Sequence, residues 1–129
     1  MASAFEMHGA FSWTELLTSD VAAARKFYGE LLGWKIRDME GSSMGYRIIS
    51  TGEQDVGGMM AIPDKAKGMA PAWGTYVTVK NVDETTARVK ALGGKVLSAP
   101  QDIPGVGRFS VIQDPQGATL SLITYSMTH

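Results

Sequence analysis

Polar and apolar residues alternate along Ala10–Thr18, placing Phe11, Trp13, Glu15 and Leu17 on one face of a predicted strand. The period then changes. Val21, Ala24, Phe27, Tyr28, Leu31 and Leu32 recur at helical spacing, so residues 21–32 read as an amphipathic helix. Ser19-Asp20 supplies N-cap chemistry, and Gly33 stands where a left-handed C-cap falls. Trp34–Met39 and Gly45–Thr51 read as two strands about a Gly-Ser-Ser turn. Val56–Ile62 is a weaker strand, whose Gly57 and Gly58 indicate a bulge or a close backbone approach.

Pro63–Ala72 has prolines, charges and no period, and reads as a surface connector. The pattern then starts again. Trp73–Val79 alternates, Asn81 and Glu84 have capping-box spacing, and residues 82–92 form a second helix stopped by Gly93-Gly94. Lys95–Ser98, Gly107–Gln113 and Ala118–Tyr125 are the last strands. Asp114-Pro115-Gln116-Gly117 between the final two is a turn with Pro at i+1 and Gly at i+3. The stretch from Ala99 to Gly107, with two prolines and two glycines, reads as a loop forming a rim or lid.

The chain thus says one thing twice. Trp13 answers Trp73, 60 positions on, and Leu32-Gly33-Trp34-Lys35 answers Leu92-Gly93-Gly94-Lys95 at the same interval. The predicted class is α+β: two tandem βαβββ modules with their sheets facing a shared cleft and their helices outside. Residues 1–9 read as an N-terminal tail. Residues 10–129 read as a single domain, with module one at 10–62, the connector at 63–72 and module two at 73–125.

The composition narrows the functions. A net charge of −1 gives no basic footprint for nucleic acid. No apolar run approaches membrane-spanning length, and Met1–Gly9 lacks the basic and apolar regions of a signal peptide. The absence of cysteine removes disulfides, thiolate nucleophiles and Cys-ligated zinc, making a cytoplasmic home the default reading. With histidine only at positions 8 and 129, no Ser-His-Asp arrangement is available either, and both histidines read as tail residues. Gly57-Gly58 and Gly93-Gly94 lack phosphate-loop spacing.

Three stretches carry a family likeness: Leu17–Trp34 with its Asp20, Phe27-Tyr28 and Leu32-Gly33; Val79–Gly94; and Gly107–Leu122 with Gly107-Arg108 and Asp114-Pro115-Gln116-Gly117. The chain resembles the vicinal oxygen chelate superfamily, that of glyoxalase I, bleomycin-resistance proteins and extradiol dioxygenases, in its glyoxalase-like branch. The resemblance implies a homodimer and a small-molecule site in the cleft. Metal-dependent relatives hold one divalent ion with His, Gln or Glu from the first and last strands of each half. Here those places read Trp13 or Thr14, Trp73 or Gly74, the Met59-Met60-Ala61 region, and Ser121 where relatives carry Glu. None is a competent hard-cation ligand, so no metal and no cofactor is expected.

The candidate site is therefore built from other chemistry. Glu15, mid-strand between Trp13 and Leu17, is the candidate general base; the alternative is a pair with Arg47 or Arg108, or a place facing the dimer contact. Trp13 and Trp73 are read as two aromatic walls or as core, and Met59 and Met60 as an adaptable lining or as filler. Arg108 is a candidate for a ligand's carboxylate or phosphate, or for a structural salt bridge to Asp114. Tyr76, Gln113 and Ser121 are polar candidates. The leading expectation is a metal-free protein binding a small apolar or aromatic molecule. The alternative is a lyase, isomerase or hydroxylase using Glu15 as base or as an atypical metal ligand. A third is a dimerisation subunit whose cleft is packed shut.

Overall fold

The computed structural model describes residues 3–40 and 45–126. Its strands are β1 (Phe11–Thr18), β2 (Lys35–Asp38), β3 (Arg47–Thr51), β4 (Gln54–Ala61), β5 (Ala72–Thr78), β6 (Lys95–Ile103), β7 (Gly107–Gln113) and β8 (Thr119–Tyr125). Helix α1 (Val21–Leu32) follows β1, and α2 (Val82–Val89) follows β5 and runs on as a 3-10 turn, Lys90–Leu92. A second 3-10 turn, Asp64–Ala66, sits in the connector. The class is α+β with two βαβββ modules, as the periodicity predicts. No helix among the described residues is long and apolar enough to cross a membrane.

The chain divides into two compact units. One is Trp13–Gly74; the other joins the segment ending at Ser12 to the chain from Thr75 onward. In the first, the strand order is β2-β3-β4-β1, with β1 parallel to β4. In the second it is β6-β7-β8-β5, with β5 parallel to β8.

In the first unit, Leu16, Ile36, Ile49 and Met59 form a buried cluster against Val21, Ala24, Tyr28 and Trp34. Strand alternation therefore sends Trp13, Glu15 and Leu17 to the face away from the helix. The helix begins where Asp20 Oδ1 accepts from the Ala23 N–H at 3.0 Å. It ends at Gly33, whose φ of 73° is the left-handed cap that its sequence position predicts. In the second unit, Val79, Val82 and Leu122 pack with Val77, Ile112 and Leu120. Asn81 Oδ1 caps α2 from the Glu84 N–H at 3.1 Å, and the Thr86 and Ser110 hydroxyls meet at 2.8 Å beneath it.

The two modules are not aligned by one constant interval. The N-caps are Asp20 and Asn81, 61 positions apart, whereas the left-handed glycines after the helices are Gly33 and Gly93, 60 apart. The second helical stretch is one residue shorter. Before the helices the modules therefore match at 61, so Leu16 answers Val77 and Glu15 answers Tyr76, while Trp13 answers Gly74. A one-residue offset in a strand moves a side chain to the opposite face.

Three sequence expectations need correction. The N-terminal segment is docked rather than a tail. The Gly9 N–H donates to Thr78 O (2.7 Å), Thr78 Oγ1 donates to Ala4 O (2.7 Å) and the Thr78 N–H to Ala10 O (2.8 Å). His8 Nδ1 accepts from the Lys80 N–H at 2.8 Å, and Phe5 meets Tyr125 edge-on with centroids 4.9 Å apart. Phe5, though 42% exposed, gives the segment an aromatic contact that its composition does not announce. His129 and the Gly-Ser-Ser turn lie outside the described residues.

Residues 99–103 are strand, not loop. β6 pairs with β7 through Gln101↔Phe109, Asp102↔Arg108 and Ile103↔Gly107. Pro100, which has no N–H to give, falls where the ladder's register shifts between Ser98 and Gln101, and β6 is an edge strand. Finally, the connector is shorter than expected, since β5 already includes Ala72.

Candidate functional site

On the helix-distal face of the first unit, Glu15 is the register partner of Gly58, and Leu17 of Met60. Tyr46, just before β3, lies across Gly58. A methyl group at position 58 would fall within its ring, which is why this position carries no side chain. The tyrosine is held from the other side as well, because Trp13 Nε1–H donates to Tyr46 Oη at 2.8 Å. The result is a half-buried patch of an indole, a phenol and one carboxylate, set on the parallel β1–β4 strand pair of the unit. Gly57 is constrained too: a Cβ there would come within 2.7 Å of Thr14 O. The close approach anticipated at Gly57-Gly58 is real. Sequence reasoning missed Tyr46 as its cause, and the glycine pair was the only signal for it.

Met59 and Met60 do not act together. Met59 is fully buried in the helix-side cluster, and Met60 is on the opposite face. Adjacent residues of a strand cannot both line one surface.

Trp73 does not stand opposite Trp13. It packs edge-on against Tyr28 (5.4 Å between centroids) and Trp34 (5.9 Å), and its Nε1–H donates to Tyr28 Oη at 3.3 Å. It therefore belongs to the α1 side of its unit, while Trp13 belongs to the far side. The 60-residue interval made them look equivalent, and the 61-residue match of the strands shows that they are not.

On the helix-distal face of the second unit, Tyr76 is paired in register with Ser121, and Ser121 with Val111. The Tyr76 ring is buried, 6.2 Å from that of Phe109. Gln113, opposite Thr119, ends the same row. Three of the polar candidates thus share one surface. Arg108 does not join them. Its guanidinium reaches Asp83 in the first turn of α2 and Asp102 on β6, each at 3.1 Å, rather than Asp114. These two hydrogen-bonded carboxylates raise its pKa further, and its role is to tie helix to sheet. Asp114 instead accepts from the Gln116 and Ala118 N–H groups of its own turn. Arg47 likewise pairs with Asp38 at 3.1 Å. Both arginines weighed as partners of Glu15 have other carboxylates.

The strand positions compared with the metal ligands of relatives hold few hard-cation donors. The register pair in the first unit is one carboxylate, Glu15, beside a glycine; in the second it is the phenol and hydroxyl of Tyr76 and Ser121. Among the described residues no three His, Cys, Asp or Glu gather in a metal-holding group. A hard cation needs more anionic or imidazole donors than either pair offers. Two surface depressions, one near Phe5, Val106 and Tyr125 and the other between α2 and β6 at Ala87 and Val96, hold none of the candidate residues.

Module order, the Asp-Pro-x-Gly turn and the paired helix caps together define the class. Residues 10–122 match the Glyoxalase/Bleomycin resistance protein/Dioxygenase superfamily, and the chain belongs to that family. It is 40% identical over 116 residues to "Putative glyoxylase CFP32" of Mycobacterium tuberculosis, covering 89% of this chain and 44% of that protein. It is 30% identical over 127 residues to the anthracycline biosynthesis protein DnrV of Streptomyces peucetius, covering 88% of this chain and 46% of that one. The chain therefore spans less than half the length of these relatives. Among solved structures it is similar in fold to methylmalonyl-CoA epimerase from Mycobacterium tuberculosis (TM-score 0.63, 16% identity, covering 95% of this chain and 91% of that one). It is also similar to homoprotocatechuate 2,3-dioxygenase from B. fuscum in its H200E variant (TM-score 0.64, 18% identity, covering 95% of this chain and 33% of that one).

Proposed function

We propose that this chain binds a small, flat, apolar or aromatic molecule on the helix-distal sheet surface of its Trp13–Gly74 unit, without a divalent metal. The observation that carries the reading is the Trp13–Tyr46 pair seated over Gly58 beside Glu15. An indole and a phenol fixed by their own hydrogen bond give a rigid aromatic wall, and pre-organised aromatic walls with a few polar groups are what small-molecule sites use. Met60 is an adaptable neighbour on the same face of that unit. The relative named for anthracycline biosynthesis makes anthracycline aglycones the first probes.

The test is calorimetric titration of the metal-analysed protein with an anthracycline aglycone and simpler aromatic ketones. Saturable binding near one ligand per chain, weakened at least about tenfold in Tyr46→Ala (about 1.4 kcal/mol), supports the reading. No binding by any of these probes, or binding indifferent to both Tyr46 and Trp13, overturns it. About one divalent ion per chain in protein from metal-replete medium overturns its metal-free part.

A second reading is an enzyme, a lyase, isomerase or hydroxylase with Glu15 as general base. It is favoured by the setting of Glu15, a half-buried carboxylate in mid-strand on the same face as the Trp13–Tyr46 pair. Under this reading Glu15→Gln retains ligand affinity and loses turnover. Equal turnover in both forms rejects it.

A further inference from the structure

Arg47 lies on the helix side of its unit. It is the register partner of buried Met59 on β4 and of Asp38 on β2, and directly opposed residues share a face. Arg25 reaches the same place from α1. Its Nη1 is 3.7 Å from Asp38 Oδ1, and Arg47 Nε is 3.1 Å from that same oxygen. Two guanidiniums therefore converge on one oxygen of one carboxylate.

Neither contact is a hydrogen bond. The Arg25 distance is too long for one. Arg47 Nε is buried and forms no hydrogen bond among the described residues, because Asp38 Oδ1 lies off its N–H axis. Buried donors are normally paired, and a charged donor is the costliest to leave over. Arg47 Nη1 donates elsewhere, to the Gly45 carbonyl. The other arginine–carboxylate pairs are made differently. Arg37 gives Asp55 two hydrogen bonds of 2.9 Å, and Arg108 is hydrogen-bonded to Asp83 and Asp102 at 3.1 to 3.2 Å. At the rim of α1 and the sheet, by contrast, two cationic side chains have one carboxylate between them, and that carboxylate is 74% exposed.

We propose that Arg25 and Arg47 form a binding site for the carboxylate of a small molecule, and that Asp38 is a tethered stand-in for it. The gap between the guanidiniums already admits a carboxylate, which fixes the size and shape of the group it takes. A ligand free of the β2 backbone can align with the N–H axes that Asp38 misses, and the planar arginine fork matches a carboxylate bidentately. Charge selects the same class, since two guanidiniums and one carboxylate leave a single positive charge for a monoanion to balance. The site is separate from the surface proposed above for an aromatic molecule, because Arg47 and its chain neighbour Tyr46 point to opposite faces of the sheet.

The experiment is a titration of the full chain with sodium acetate at constant ionic strength, followed through the arginine Nε–H signals by NMR. The Arg47 signal is identified by its loss in Arg47→Gln. It is expected to shift saturably with acetate. Asp38→Asn removes the tethered competitor and is expected to tighten acetate binding about threefold or more, whereas Arg25→Gln weakens it by a similar factor. Arg88→Gln, which removes the same charge from α2, is expected to leave the affinity unchanged. A response that never saturates overturns the proposal. So does an Asp38→Asn protein that binds no tighter than wild type, or an Arg88→Gln effect equal to that of Arg25→Gln. Tighter binding of inorganic phosphate than of acetate overturns the carboxylate assignment. Circular dichroism checks that each variant is folded; if Asp38→Asn is not, Arg25→Gln against Arg88→Gln decides. No aromatic probe is involved, so this proposal and the preceding one fail separately.

Discussion

Trp13 reaches across 33 positions of sequence to donate its indole N–H to the phenol oxygen of Tyr46, and Gly58 is the residue that lets it. Gly58→Ala is expected to push the Tyr46 ring aside and break that hydrogen bond. The cost is about 1–3 kcal/mol, as for other insertions into packed positions. Urea denaturation measures it. Adding Tyr46→Ala removes the clash, so the double variant should be less destabilised than the sum of the singles. Simple additivity would show that the ring does not lie over position 58.

Met59 and Met60 offer a sharper contrast. Met59→Ala is expected to cost about 2–5 kcal/mol, the range for emptying a core position. Met60→Ala should cost markedly less in denaturation and instead alter ligand affinity. Equal costs would contradict the assignment of these residues to opposite faces.

Asp20 and Asn81 occupy the same cap in the two modules. Replacing either with alanine is expected to cost about 0.5–2 kcal/mol, and the glycine variants only a few tenths. Parallel thermal melts of the four proteins check this.

The Arg37 guanidinium donates two hydrogen bonds to the Asp55 carboxylate, both at 2.9 Å, and holds its pKa below the ordinary carboxylate value. The folded state thus favours the ionised form. The pair's contribution is whole above the unfolded carboxylate pKa and is lost as pH falls through the lower folded one. Both side chains are exposed, so the effect is small and screened by salt. Carboxyl NMR titration should show the Asp55 midpoint moving up in Arg37→Gln. An unmoved midpoint would show that the pair does not persist in solution.

The helices were legible because their signals are local: an Asp or Asn cap, apolar residues at helical spacing and a terminal glycine lie within one short window. Trp13 and Trp73 were misjudged because a matched residue type hid a one-residue difference in helix length, which only the strand register reveals. For Arg108 the sequence leaves a ligand anion or a salt bridge to Asp114 open, and the fold instead delivers Asp83 and Asp102 from two other elements. Tyr46 left no mark of its own in the pattern. Its presence was written in the missing side chain of its neighbour. The succession of elements along the chain was legible, whereas the choice of which polar side chains share a face depended on alternation counted from the true core residues.

The docking of residues 3–12 on the unit formed from Thr75 onward has a consequence for how the protein is made. Ser12 hydrogen-bonds to Tyr125, 113 positions later, and the Ala10 carbonyl waits for Thr78. On the ribosome residues 3–12 thus emerge long before their partners are synthesised, while Trp13–Gly74 already contains its own strands and helix. Biogenesis is therefore staggered. The Trp13–Gly74 unit can settle first, and residues 3–12 stay solvated until β8 is made and can receive them.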